Sequence, residues 1–353
     1  MSKGTTSYTH TVGFDVSDKT AMIAVMDQAG RVCQEEQIEL TLQAVRERFG
    51  RLPRSRVALE AGGQTRWLAR VLGDLGHEVL VANPRNIPLL TKSHRKSDRA
   101  DAVLLARMAR LDPELLSPVT LRSEAAQEDL LEVRARDHAV RQRTRSIGLV
   151  RGQAKQFGAR LPGCDADAFH HKAVEWLPAE LLERLPPTIQ LIEACTKTIK
   201  AYDRRLKQML KRYPVAAALE RQIRGVGPVT ALAFVLLIDD PHRFTSRGAG
   251  AYLGLVPKKD QSGESDPQRG ISKRGDALGR RLLVQCAQYM LGPFGEDSDL
   301  RRFGLRLAGS GNKAQRRRAV VAVARKLAVL MHALWVSGEV YEALRNSRVA
   351  DAA

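Results

Sequence analysis

Residues 11–40 read TVGFDVSDKTAMIAVMDQAGRVCQEEQIEL. Thr11–Val16 is a short apolar run closing on Asp15-Val16. Ala21–Asp27 (AMIAVMD) is a second, Gln28-Ala29-Gly30 is turn chemistry, and Val32–Leu40 is a third. Short apolar runs parted by turn residues predict three consecutive strands. A helix is expected over Leu42–Phe49. Arg56–Leu59 (RVAL) reads as a buried strand that runs into Glu60. Helical spacing returns over Thr65–Leu75, and Glu78–Ala82 is a further strand stopped by Asn83-Pro84. Ser97–Leu111 reads as a helix, with Asp98 near its start and Pro113 just past its end. Strands in succession, then strands alternating with helices, predict a mixed α/β sheet.

Beyond this sheet the pattern turns helical. Ser123 to about Gly158 is charged and amphipathic, and a second helix is expected over Ile189–Tyr213 after the Pro186-Pro187 break. Together they form a long two-helix arm, which either pairs with another copy of itself or packs as a hairpin on its own chain. In Ile223–Leu237 the turn Gly225-Val-Gly227-Pro228 lies between helical segments. Such a turn either brings backbone N–H groups close to a phosphate, as in a helix-hairpin-helix, or is a tight connection in a core. A loop-rich stretch, Leu253–Gly275, precedes helices over Asp276–Leu291 and Lys313–Val336. The expected domains are 1–120 (α/β), 121–213 (helical coiled-coil arm) and 214–353 (mainly helical).

A length of 353 residues is in keeping with two or three domains. Lys and Arg number 57 against 39 Asp and Glu, a net charge of +18 that points to a polyanionic partner, nucleic acid by default. Aromatics are only 5%, thin for a protein that grips single strands by stacking bases on exposed rings. Between Gln268 and Lys326 fourteen Lys/Arg face four Asp/Glu, so over half the surplus lies in a sixth of the chain. That concentration reads as a phosphate-binding surface. Arg280, Arg281, Arg316, Arg317 and Arg318 fall within it. Four cysteines, far apart and without a CxxC pair, argue against a disulfide framework or zinc ribbon. No signal-peptide core and no run of about 18 apolar residues is seen, so a cytoplasmic protein without a membrane partner is expected.

Four acids stand at suggestive places: Asp15 at the end of the first strand, Glu60 at the end of RVAL, and Asp98 and Asp101 in SDRADA. A spacing of three puts the last two on one helix face. Clustered carboxylates suit hard Mg²⁺ or Mn²⁺ and phosphodiester chemistry. Lys92, Arg95, Lys96 and Arg99 surround the second pair and are candidates for the nucleic-acid backbone. Strand-end Asp, strand-end Glu and a helical Asp-x-x-Asp, in that order, resemble the DEDD arrangement of the RNase H-like fold in Holliday-junction resolvases of the RuvC type.

The second half narrows the resemblance. IRGVGPVTA, then RFTSRGAGAYLGLVPKKDQSGE, then RGISKRGDALGRRLL is similar to the C-terminal domain of the DEDD insertion-sequence transposases, the bridge-RNA-guided serine recombinases of bacterial mobile elements. VGFDVSDK, VALEAGGQTRWLARVL and NPRNIPLLTKSHRKSDRADAVLLA resemble the N-terminal half of the same family. One departure is Gly279 in GDALGRRLL. The resemblance implies that Asp15, Glu60, Asp98 and Asp101 hold Mg²⁺ (Mn²⁺ as a substitute). It implies a serine nucleophile in the Ser-Gly step after LGLVP, here Ser262-Gly263, and a 5′-phosphoserine intermediate. Spacing alone does not choose among Ser262, Ser265 and Ser272; the family motif selects Ser262. Lys258, Lys259, Arg269, Lys273 and Arg274 flank it and would grip backbones. The resemblance further implies a dimer or tetramer with the site assembled between protomers, a guide (bridge) noncoding RNA, and double-stranded donor and target DNA. The alternatives are a hydrolytic RuvC-like endonuclease that forms no covalent intermediate, and a binding protein with a decayed site. The intact acids argue against the decayed site, and the Ser-Gly loop beside ISKRG argues against simple hydrolysis.

Overall fold

The computed structural model describes residues 8–84, 87, 97–245, 247–263, 265, 267 and 269–346. By internal contacts the chain forms two compact units, Met1–Leu121 and Arg122–Ala353.

In the first unit, β1 (Thr11–Val16), β2 (Thr20–Met26) and β3 (Val32–Glu39) are followed by α1 (Leu42–Gly50), β4 (Arg56–Glu60), α2 (Thr65–Asp74), β5 (Glu78–Ala82) and α3 (Asp98–Leu111). Each expected strand and helix of this region forms within two residues of its predicted ends. The sheet order is β3-β2-β1-β4-β5. β1, β2 and β3 pair antiparallel, and β4 and β5 join parallel to β1 and to each other. Parallel neighbours need a crossover, which α1 and α2 supply. On one face Val12, Phe14, Ile23, Val57 and Leu59 pack with Val45 and Phe49 of α1 and Leu68 and Leu72 of α2. Each such buried side chain contributes roughly 1.5–3 kcal/mol. On the other face Ala58 and Ala82 meet Leu105, Met108 and Ala109 of α3.

The second unit is helical. α4 (Glu124–Gln156) leads through α5 (Phe169–Trp176) and α6 (Ala179–Arg184) to α7 (Pro186–Met209). The Pro186-Pro187 pair starts α7 instead of preceding it, because the first helical turn has no need of those N–H groups. α4 and α7 pair with each other antiparallel. Arg205 with Glu132, Arg136 with Asp203 and Arg143 with Thr196 descend one helix as they climb the other. A small cluster built on Val150, Phe169, Leu181 and Ile192 closes the tip.

At its root the arm shares a core with the remaining helices: α8 (Pro214–Gln222), α9 (Pro228–Ile238), α10 (Gly248–Tyr252), α11 (Ala277–Leu291), α12 (Asp299–Ala308) and α13 (Lys313–Ser337). Leu130, Val133, Leu206 and Met209 of the arm pack with α9, which is buried along Thr230–Ile238. Asp239, in the left-handed region at φ 63°, ends α9 and accepts from the Ser123 N–H at 2.6 Å and its hydroxyl at 2.8 Å, fixing the start of α4. Arg134 pairs with Asp276 at 3.5 Å and Arg281 with Asp137, tying α4 to α11.

The sequence reading expects no helix able to cross a membrane, yet α13 is long and apolar enough by length and composition. Its Val323, Ala324, Leu327 and Met331 are buried in the shared core, and Lys313, Arg316, Arg317 and Arg318 open it. A core helix passes the same length-and-composition test.

Candidate active site

The acids are placed by one face of the sheet and by α3. Alternate residues of a strand share a face. Gly13 and Asp15 therefore point the same way, as do Ala58 and Glu60. Ala58 packs on α3, and a β-carbon at Gly13 would stand 1.8 Å from the Ala102 carbonyl oxygen. The helix backbone is thus seated directly on β1. Phe14 pairs with Leu59, so the next residues, Asp15 and Glu60, leave the ladder together. Ser97 caps α3, its hydroxyl accepting from the Ala100 N–H at 3.2 Å, and sets Asp98 and Asp101 in the first turn. Their charge there also favours the helix dipole. Asp98 is exposed and Asp101 is 7% exposed. The Thr65 hydroxyl accepts from the Gly62 N–H at 2.7 Å and donates to the Glu60 carbonyl at 3.1 Å, shaping the loop beside Glu60.

Asp15, Glu60, Asp98 and Asp101 all line one cleft of about 310 Å³, with Ser17, Thr65 and the backbone of Gly62-Gly63. Among the described residues no Lys or Arg lines it. This all-oxygen, anionic donor set fits a hard divalent cation in kind. The acids stand around the cleft rather than in a tight nest. Among the described residues no three His, Cys, Asp or Glu side chains gather closely enough to hold a metal as they stand.

Ser262 belongs to the second unit. The described residues between 257 and 271 fold back as an irregular hairpin, with a bridge between Pro257 and Ile271 and another between Ser262 and Ser265. Ser262 and Ser265 exchange two backbone hydrogen bonds of 3.0 Å across the tip. Gly263 turns there at φ 55°, a conformation that favours glycine. Both serines are exposed, whereas Ser272 is half-buried at the base, where its N–H donates to the Val256 carbonyl at 2.8 Å. Arg280 holds that base by donating to the Leu253 carbonyl at 3.0 Å and to the Gly275 carbonyl at 3.4 Å.

The expected backbone-gripping cations divide into groups. Lys258, Lys259, Lys273 and Arg274 are exposed on or beside the hairpin. Arg269 is exposed and pairs with Asp260 at 3.1 Å. Arg280 and Arg281 are engaged within the fold, as described. Arg316, Arg317 and Arg318 are exposed at the start of α13. Arg99 is exposed and pairs with Glu35 at 2.5 Å. Lys92, Arg95 and Lys96 lie outside the described residues. A β-carbon at Gly225 would meet the Tyr289 ring at 2.9 Å, so this glycine is packed against the end of α11. Gly227 faces open space at the start of α9.

Sequence reading missed a groove of about 1710 Å³ beside the hairpin. Arg247, Arg306, Arg325 and Lys326 line it together with Lys258, Arg269, Lys273, Arg317 and Arg318. The signal for it is the four-residue repeat Arg317, Val321, Arg325, Val329 along α13, hidden in a helix that otherwise reads as core.

Comparison with known proteins finds two matched regions, the first running past the first unit to the end of α4. A family model described as "Transposase" (DEDD_Tnp_IS110) matches residues 12–158, and one described as "Transposase IS116/IS110/IS902 family" matches residues 217–298. The transposase for insertion sequence element IS1328 of Yersinia enterocolitica is 32% identical, covering 73% of this chain and 79% of its own length. The transposase for insertion sequence element IS1111A of Coxiella burnetii is 28% identical over 94% and 90%. A probable family 20 transposase of Pseudomonas aeruginosa is 28% identical over 92% and 96%. With both family models matched in chain order, and relatives alike over most of their length, the chain belongs to the IS110/IS116/IS902 family of transposases.

Proposed function

We propose that this protein is a DNA transposase that cuts and rejoins strands of a mobile element through a covalent phosphoserine. The observation that carries the reading is the convergence of Asp15, Glu60, Asp98 and Asp101 on one cleft. The strand order β3-β2-β1-β4-β5 supports an RNase H-like, RuvC-type domain beneath that cleft. A divalent cation (Mg²⁺, or Mn²⁺) held by the four acids would supply charge neutralisation at the scissile phosphate.

This chain's own groups do the rest. The Ser262 hydroxyl attacks phosphorus, forming the Oγ–P bond as the P–O3′ bond breaks. Its proton passes to a carboxylate and from there to the departing 3′ oxygen. The product is a 5′-phosphoserine and a 3′-hydroxyl strand. Attack by another 3′-hydroxyl reverses the exchange, restoring a phosphodiester and the serine without an external energy source. The position of Ser262 at an exposed turn supports its reaching a phosphate, while the half-buried setting of Ser272 counts against that residue. Exposed Lys258, Lys259 and Arg274 would bind flanking phosphates. Guide RNA would choose sequence by base pairing, leaving the protein to hold backbones in an oligomer.

Ser262→Ala is expected to abolish detergent-resistant protein–DNA adducts and recombination. Asp98→Ala and Asp101→Ala are expected to lose metal-dependent cleavage while keeping salt-sensitive nucleic-acid binding. Adducts persisting in Ser262→Ala place the nucleophile elsewhere, with Ser265 next in order. Cleavage that continues without adducts establishes the hydrolytic alternative. A preparation active on a fixed DNA junction without co-purified RNA excludes guidance.

A further inference from the structure

The groove beside the hairpin joins a basic rim to an apolar floor. Among the described residues its cations outnumber its acids ten to two, the acids being Asp299 and Glu342. Arg247, Lys258, Lys273, Arg306, Arg317 and Arg325 have no carboxylate partner among the described residues. The surface between them is apolar: Leu307, Val321, Val329, Leu330 and Leu334 line it, with Phe303. The Lys326 ammonium sits 4.0 Å from the Phe303 ring centroid, so this ring is already engaged by a cation.

We propose that this groove binds an unpaired nucleic-acid strand, phosphates on the basic rim and bases against the aliphatic floor. A duplex offers phosphates but keeps its base faces stacked inside, out of reach of an apolar floor. An acidic peptide offers charge without flat apolar faces at the same repeat. Only an unpaired strand presents both at every unit. The low aromatic content is consistent with this mode, since the floor covers bases by apolar contact more than by ring stacking. From Arg317 to Leu334 the lining face of α13 is about 26 Å long. That holds up to about eight nucleotides at the stacked spacing of one strand. The hairpin that forms one wall carries Ser262 at its tip, so the bound strand is the one leading to or from the phosphate that Ser262 attacks. That last assignment rests on the proposed function; the binding itself does not.

The test uses the full-length protein freed of nucleic acid by nuclease and high salt. Fluorescent single strands of about ten nucleotides, as DNA and as RNA, are titrated by anisotropy against the matching duplex. Arg317→Gln with Arg325→Gln is expected to weaken strand binding about tenfold and to lower the salt slope by about 1.4. Leu307 is 46% exposed, so Leu307→Gln spares the core. It is expected to weaken strand binding about threefold and leave duplex affinity and the melting temperature unchanged. Ser262→Ala is expected to bind the strand as the unsubstituted chain does, which separates failure of the groove from failure of the nucleophile. Preference between DNA and RNA identifies the strand. Unchanged affinity in the double variant overturns the proposal. So does displacement of the strand by duplex, or by polyglutamate, at the concentration at which unlabelled strand displaces it.

Discussion

A β-carbon at Gly13 would lie 1.8 Å from the Ala102 carbonyl oxygen and 2.8 Å from the Ala106 nitrogen, both main-chain atoms that cannot rotate away. Gly13→Ala must therefore lift α3 from β1 or distort the strand. It is expected to cost about 3 kcal/mol, read as a lower denaturant midpoint, and to remove metal-dependent cleavage by drawing Asp98 and Asp101 away from Asp15. The acids themselves were legible in the sequence, because strand ends and an i, i+3 pair show in residue spacing. The need for Gly13 was not. It comes from a helix some ninety residues downstream, and a lone glycine in a strand reads only as a weak spot.

At the scale of elements, the arm root offers a measurable titration. The Tyr213 hydroxyl donates to Asp129 at 2.5 Å, and burial together with that carboxylate pushes the phenol up to about 12 from its usual 10. A folded pKa above the unfolded value contributes stability that is whole below pH 10. It is lost as pH rises from 10 through about 12. Thermal melts across that window are expected to show a steeper fall for the unsubstituted chain than for Tyr213→Phe. The two long arm helices were readable because many turns of spacing accumulate in them. α5 and α6 were not, since eight and six residues give too few repeats. α12 was hidden by Gly304, which reads as a breaker. In the fold it is where Leu291 and Val323 pack against the helix, each within 2.6 Å of where a β-carbon would stand. The serine hairpin read as loop because only two isolated bridges define it.

The whole molecule has two units, each with its own core. Calorimetry is expected to resolve two unfolding transitions. Mg²⁺ at about a hundred times its dissociation constant should stabilise only the unit holding the acid cleft, by about 2.7 kcal/mol, and Asp101→Ala should abolish that shift. A single transition moved as one block by Mg²⁺ would contradict independent cores. In the second unit, Arg134 of α4 meets Asp276, whose other oxygen caps α11, and α11's Arg280 clasps the base of the serine hairpin. The arm is about 50 Å long. The root of that lever and the base of the serine hairpin thus rest on one support, the first turn of α11.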